Sequence, residues 1–245
     1  TDNQSATGTS SAVEGTVTDS ALQCFWRMNE NTWTGAAGEV QDTANNHSGT
    51  AINSATTITD GKIGRCGTFN GINQYVEVPD AAALKYTGGN FSLALWVKID
   101  ANDTDGGHLI SKPWNWNGSY NWRVQMYSDR TLRLALSGAT SWYSTQTSAL
   151  SAGVWHHIAV TLSSGSTVIL YVDGSPAVTS THTITNWTPV NGDKSIPLAF
   201  GTLYPYGTGG WQNSIFCLLG QMDEVRLYTR VLTQAEIAGL AQGKQ

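Results

Sequence analysis

Short alternating strands along most of the chain, a charged fraction of only 13%, and a single helix signal near the C-terminal end point to one fold class. They predict an all-β, two-sheet antiparallel sandwich of the jelly-roll type, closed by a short C-terminal helix. At 245 residues the chain is an ordinary size for one such domain. The charged share is about half of the usual ~25%, and a helix bundle needs charged faces to stay in water. The formal charge is -5. No basic block exists to track phosphates, which argues against nucleic acid as the main partner. No apolar run approaches the roughly 20 residues that cross a bilayer, so no membrane span is expected.

The elements follow in chain order. Residues 1–20 are rich in Ser, Thr and Gly and hold few large apolar side chains. Such a segment buries too little surface to offset its ordering entropy, so it reads as a flexible linker ahead of a domain at 21–245. Leu22–Met28 forms the first strand. Lys62–Phe69 and Gln74–Val78 follow, separated by the turn residues Asn70-Gly71. In Phe91–Ile99 the odd positions Phe91, Leu93, Leu95, Val97 and Ile99 face one way, and Ser92, Ala94, Trp96 and Lys98 the other. Trp122–Tyr127, Thr131–Ser137, His156–Leu162 and Thr167–Val172 behave alike. Asp173-Gly174 then marks a hairpin, because a type I′ turn needs positive φ at both central residues. Ile196–Gly201, Ile215–Leu219 and Gln221–Tyr228 complete the strands. Thr233 and Glu236 make a capping box, Leu232 and Ile237 a hydrophobic staple, and together they predict a helix over Gln234–Ala241.

The order and spacing of several segments carry a family resemblance. They are Phe25-Trp26-Arg27-Met28-Asn29-Glu30, Asp42 with Asn45-Asn46-His47-Ser48-Gly49, Gly67-Thr68-Phe69-Asn70-Gly71, and Phe91 to Lys98. The strongest are Trp155-His156-His157-Ile158-Ala159-Val160, Leu170-Tyr171-Val172-Asp173-Gly174, and Gly220 to Tyr228. From about Ala21 to Leu240 the chain resembles a laminin-G-like domain of the concanavalin A-like lectin/glucanase superfamily. The resemblance implies a curved sandwich that serves, in different members, as a carbohydrate-binding module, a lectin, an adhesion module, a glycosidase or a lyase. Fold therefore leaves function to the site. The resemblance also implies a structural Ca²⁺ joining an early loop to the last strand. The matching positions are Asp42, Asn45, His47 and Asp223. In the fold it implies, Cys66–Cys217 is the first disulfide to consider. Buried thiols at Cys24, Cys66 and Cys217 are the alternative, and spacing does not decide between them.

Ten Trp, nine Tyr and five Phe are many for so weakly charged a chain. Trp26, Trp96 and Trp155 fall in regular strand patterns and are assigned to packing. A further set lies in polar, turn-rich stretches: Trp114, Trp116 and Trp122 in 112–122, Trp142 and Tyr143 among Ser and Thr, then Trp187, Tyr204, Tyr206 and Trp211. Loops are poor places to hide so many rings. Sugars offer apolar C–H faces to rings and hydroxyls to amides and cations, so these aromatics, with Arg123 and Gln125, make a candidate sugar platform. Two catalytic carboxylates about 5–9.5 Å apart would be needed for glycoside hydrolysis. No E-x-D-x-x-E strand is present, and by strict alternation Asp223 and Glu224 face opposite ways. The superfamily's lyase strands are also missing, although Arg123, Gln125 and Tyr127 share a face and His108 is a candidate neighbour. His156 and His157 fall on opposite faces, and the Asp100–Asp105 stretch reads as a solvated turn. The expectation is a non-catalytic polysaccharide-binding module of a secreted, multi-domain protein. A lyase or hydrolase is the second reading, and an adhesion module the third.

Overall fold

The computed structural model describes residues 19–113, 120–137, 142–164, 166–184, 186–187, 194–203 and 217–244, with the side chains of 120 and 142–144 excepted. The strands are β1 Leu22–Trp26, β2 Thr50–Ile52, β3 Thr56–Ile58, β4 Cys66–Asn70, β5 Tyr75–Val78, β6 Phe91–Ile99, β7 Gly107–Pro113 and β8 Tyr120–Met126. They continue with β9 Thr131–Ser137, β10 Trp142–Ala149, β11 Trp155–Leu162, β12 Thr167–Val172, β13 Ser175–Thr181, β14 Leu198–Phe200 and β15 Leu219–Tyr228, before helix α1 Gln234–Ala241. All pairings among them are antiparallel. One sheet runs β13-β12-β11-β6-β15-β4-β3 with β1 also on β15; the other runs β10-β9-β8-β7-β14-β5-β2.

The core lies between the sheets. The odd face of β6 meets Trp122, Val124 and Met126 of β8 and Leu132, Leu134 and Leu136 of β9 in one buried cluster. The even face of β6 is covered as well. Ala94 joins Ala159, Tyr171, Tyr228, Leu232 and Ile237 in a second cluster, on which α1 rests. The helix begins where its capping box places it: the Thr233 side chain accepts the Glu236 N–H, and Glu236 accepts the Thr233 N–H at 2.7 Å. Each such cap is worth about 1 kcal/mol.

Several expectations are corrected. The thiols are unpaired: Cys24, Cys66 and Cys217 are all buried and reduced. Cys66 faces Ile58 across the ladder, and the Cys217 thiol donates to Thr202 Oγ1, so Cys66–Cys217 does not form. β7, which carries Lys112 and Pro113, is a strand rather than the start of a loop. Ser/Thr-rich β10 is also a strand. The last strand is continuous from Leu219 and carries a bulge: Asp223 faces Trp96, yet Arg226 faces Ala94, so β15 has one extra residue. Glu224 takes up the distortion at φ 54. Alternation therefore does not run unbroken through this pair. Asp223 and Glu224 are both fully buried.

Candidate functional site: the outer face of the seven-stranded sheet

Alternation in β8 and β9 sends Trp122, Val124 and Met126, and Leu132, Leu134 and Leu136, inward. Arg123, Gln125, Arg133 and Ala135 therefore face outward. Register joins them into rows. One runs Thr50–Glu77–Ala199–Ser111–Arg123–Ala135–Ser144 across the sheet. Arg123 thus rises among the small residues Ser111 and Ala135. A second row runs His108–Gln125–Arg133–Gln146.

Exposure increases toward β10. His108 and Gln125 are buried, at 1% and 8% exposed. Arg123 and Arg133 are half-buried, and Gln146 is exposed. Arg133 donates to Gln146 Oε1 at 2.9 Å and lies 4.3 Å from the centre of the Tyr127 ring. Burial, and then the nearby Arg123 cation, hold the His108 imidazole well below its ordinary value, so it is neutral at pH 7. The strip thus offers two planar guanidiniums and two amides. Such forks suit vicinal hydroxyls or a carboxylate.

The strand ends place the aromatic connections. β7–β8 and β9–β10 turn at one end of the sheet, where Pro113 pairs with Tyr120 and Ser137 with Trp142. The strand ends Pro113, Tyr120, Ser137 and Trp142 therefore lie at one end of the sheet. β14 runs antiparallel to β7, so its C-terminal residue Phe200 points toward the opposite end. Trp114, Trp116, Tyr204, Tyr206 and Trp211 themselves lie outside the described residues. So do the side chains of Trp142 and Tyr143, whose backbone belongs to β10.

Trp122 is a correction. It is 0% exposed, donates Nε1–H to the Leu84 carbonyl at 3.0 Å and packs on Phe91, so no sugar reaches it. Trp187 is half-buried and meets Tyr86 edge-on at 4.5 Å and His182 at 5.6 Å. A Cβ at Gly88 would come within 2.6 Å of the Trp187 ring, so the indole braces the loop at Gly88. Trp26 and Trp96 are core or near-core residues as expected, and Trp155 is half-buried.

Sequence reasoning missed Lys112. Its ammonium is fully buried, 2.8 Å from Asp80 Oδ1, and donates to the Ile196 carbonyl. Lys85 holds the other Asp80 oxygen at 2.8 Å. Burial works to raise the Asp80 carboxyl, and the two lysines more than reverse it, leaving it below its ordinary value. Only the pairing makes Lys112 tolerable inside a sheet, and its acid partner lies far away in sequence.

The four metal positions do not come together as an oxygen cage. Asp42 accepts N–H bonds from Phe25, Ala44 and His47. Asn45 spends its amide donor on the Leu22 and Gln23 carbonyls. Asp223 accepts from Ile63 N–H and does not join the group around Asp42. Asp103 closes its own turn onto the Asp105 and Gly106 N–H groups and is itself buried, so the turn is not solvated throughout, although Asp100, Asn102 and Asp105 are exposed.

A two-sheet sandwich with one sheet face closed by its own helix and the other carrying polar forks defines the class: a lectin-like β-sandwich. The family Laminin_G_3, described as the concanavalin A-like lectin/glucanases superfamily, matches residues 70–238, more than half of the chain, and the chain belongs to it. Among solved structures it is similar to domain 4 of an extracellular arabinanase from Geobacillus stearothermophilus in complex with arabinotriose. The TM-score is 0.65 at 22% identity, covering 90% of this chain and 98% of that one. It is also similar to the binding domain of Paraclostridial Mosquitocidal Protein 1, with TM-score 0.64 and 16% identity, over 90% of this chain and 52% of that one. A third is a Trypanosoma rangeli sialidase, with TM-score 0.63 and 20% identity, over 90% of this chain and 32% of that one. At these identities the likeness is one of fold. No curated protein matches the chain. No described helix is long and apolar enough to cross a membrane.

Proposed function

We propose that the chain is a non-catalytic carbohydrate-binding module that takes a polysaccharide or oligosaccharide on the outer face of its seven-stranded sheet. The observation that carries this reading is the strip of Arg123, Arg133 and Gln146 on the outer face of the seven-stranded sheet, near the strand ends Pro113, Tyr120, Ser137 and Trp142. Arg123 and Gln125 supply hydrogen bonds, and Trp114, Trp116, Trp142 and Tyr143 supply stacking surface. Tyr204, Tyr206 and Trp211, outside the described residues, serve a second contact or none. A domain solved with arabinotriose supports the ligand class, and its parent's extracellular setting supports a secreted, multi-domain context tethered to other domains.

The test is a polysaccharide and oligosaccharide binding screen that begins with arabino-oligosaccharides, followed by an activity assay on every hit. Binding without turnover is expected. Arg123→Ala should weaken it about 10-fold or more, as loss of a charged hydrogen bond does. Turnover of any hit overturns the non-catalytic reading and directs attention to Arg123, Gln125, Tyr127 and His108. Binding that survives both Arg123→Ala and Trp114→Ala removes this face from consideration.

A further inference from the structure

Three side chains that belong to no sugar contact converge beneath the loop at 42–47. Cys24 comes from β1, and Asp42 and His47 from the two ends of that loop. One atom of each lies within 4.8 Å of the others. Cys24 Sγ is 3.6 Å from His47 Nδ1, and Asp42 Oδ2 is 3.2 Å from the same nitrogen. A single ring nitrogen has one hydrogen or one lone pair, not both. If Nδ1 carries a proton, Asp42 takes it and Cys24 offers it only a weak sulfur acceptor. If Nδ1 accepts from Cys24, the Asp42 oxygen faces a lone pair. Either way, protons alone satisfy this group weakly.

We propose that Cys24, Asp42 and His47 form a binding site for a borderline-soft divalent cation of the zinc class, with water as fourth ligand. Spacing supports it first. With bonds of about 2.3 Å to sulfur, about 2.0–2.1 Å to imidazole nitrogen and about 2.0–2.2 Å to carboxylate oxygen, a tetrahedral ion sets sulfur and nitrogen about 3.6 Å apart and nitrogen and oxygen about 3.3 Å apart. Both match the distances found here. The donor set is the second support: thiolate, imidazole and one carboxylate suit zinc and not calcium. The third is an outer shell already in place. Asp42 Oδ1 is held by the Phe25 and Ala44 N–H groups, Oδ2 by the His47 N–H, and the His47 carbonyl by Trp26 Nε1–H at 2.8 Å. Such partners fix ligand orientation. The fourth is charge. Zn²⁺ displaces the Cys24 thiol proton to solvent, and with one thiolate, one carboxylate and a neutral imidazole the site sums to zero, as a buried site requires. Entry is through His47, whose side chain is 18% exposed. The ion would pin β1 to the 42–47 loop.

The experiment uses the full chain, stripped by chelator and titrated with Zn²⁺ or Co²⁺ alone. One equivalent is expected to bind. Co²⁺ should give tetrahedral ligand-field bands and a thiolate charge-transfer band, and Zn²⁺ should shield Cys24 from a thiol reagent. Cys24→Ser should abolish the charge-transfer band, and His47→Asn should weaken uptake at least about 10-fold. His47 is only half-buried, so that variant folds even if Cys24→Ser does not. Absence of uptake overturns the site. So does a Co²⁺ spectrum of oxygen-only character, or protection by Ca²⁺ in place of Zn²⁺.

Discussion

The outer faces of the two sheets have been put to opposite uses. On the eight-stranded sheet the chain closes its own face. Helix α1 lies over Ala94, Ala159 and Tyr171, and beside it Asp223, Glu224, Arg226 and His157 are buried together. Trp96 there is flanked by the His157 ring at 5.2 Å and the Lys62 ammonium at 4.2 Å. On the seven-stranded sheet the guanidiniums of Arg123 and Arg133 stand half-buried, and Gln146 reaches solvent. The first face spends its charges on holding itself together. The second leaves hydrogen-bonding capacity where a ligand can compete for it. Charged residues are scarce in this chain, so where each one is buried is informative.

If that contrast is right, the largest stability losses come from groups that only hold the sandwich. Asp80→Ala strands the buried Lys112 ammonium and should cost about 3–5 kcal/mol. Trp122→Ala opens the core and should cost a similar ~3–5 kcal/mol. Urea unfolding measures both. Arg123→Ala should cost no more than about 1 kcal/mol of stability, while it weakens ligand binding about 10-fold or more. Equal destabilisation by Trp122→Ala and Arg123→Ala would erase the contrast.

A second test uses pH. Burial, with Glu224 beside it, pushes the Asp223 carboxyl up to about 7. The folded state therefore keeps a proton that the unfolded chain releases near pH ~4. The stability this provides is fully present below about pH 4 and is lost as pH rises through about 7. His157 runs the other way. Burial and then Arg226 push its imidazole down to about 4. Its contribution is present above about pH 6.5 and is lost as pH falls toward about 4. The two slopes oppose one another within one buried patch. Asp223→Asn should remove the first and expose the second, so that stability climbs more steeply between about pH 4 and 6.5 than in the parent chain. Urea midpoints across that range report it. An unaltered slope would mean that water reaches Asp223. The smallest effect is local: Thr233→Ala should cost about 1 kcal/mol, read from the thermal midpoint.

Much of the sandwich could be read directly. β6, β9, β12 and α1 have the predicted boundaries, because each rests on a local pattern: alternation in the strands, a capping box and staple in the helix. The missed strands lack such patterns. β13 carries Pro176, has a mostly exposed surface, and pairs only with β12 in the order of its sheet, a place where proline is tolerated. β7 contains a lysine whose counter-ion lies in the turn after β5, so no local reading makes Lys112 a core residue. The site was legible only in part. Period two put Arg123 and Gln125 on one face. It could not show that Trp122, next to them, anchors the core through Leu84. The Asp42 and His47 positions were noticed from a resemblance. Cys24 was not joined to them, because only the fold brings β1 against that loop.

The pairing of β1 with β15 has one more consequence. Leu22 faces Tyr228, the Thr229 N–H bonds the Ala21 carbonyl, and the Arg230 guanidinium bridges Asp19 and Glu236. The fold thus begins and finishes at nearly one point, with only a helix of about 12 Å left to run. Covalent order can be rearranged around such a point: the ends can be sewn together and the backbone reopened at a distant turn with every ladder kept. Spliced into an exposed loop of another polypeptide, a unit closed in this way would keep the two flanks close together.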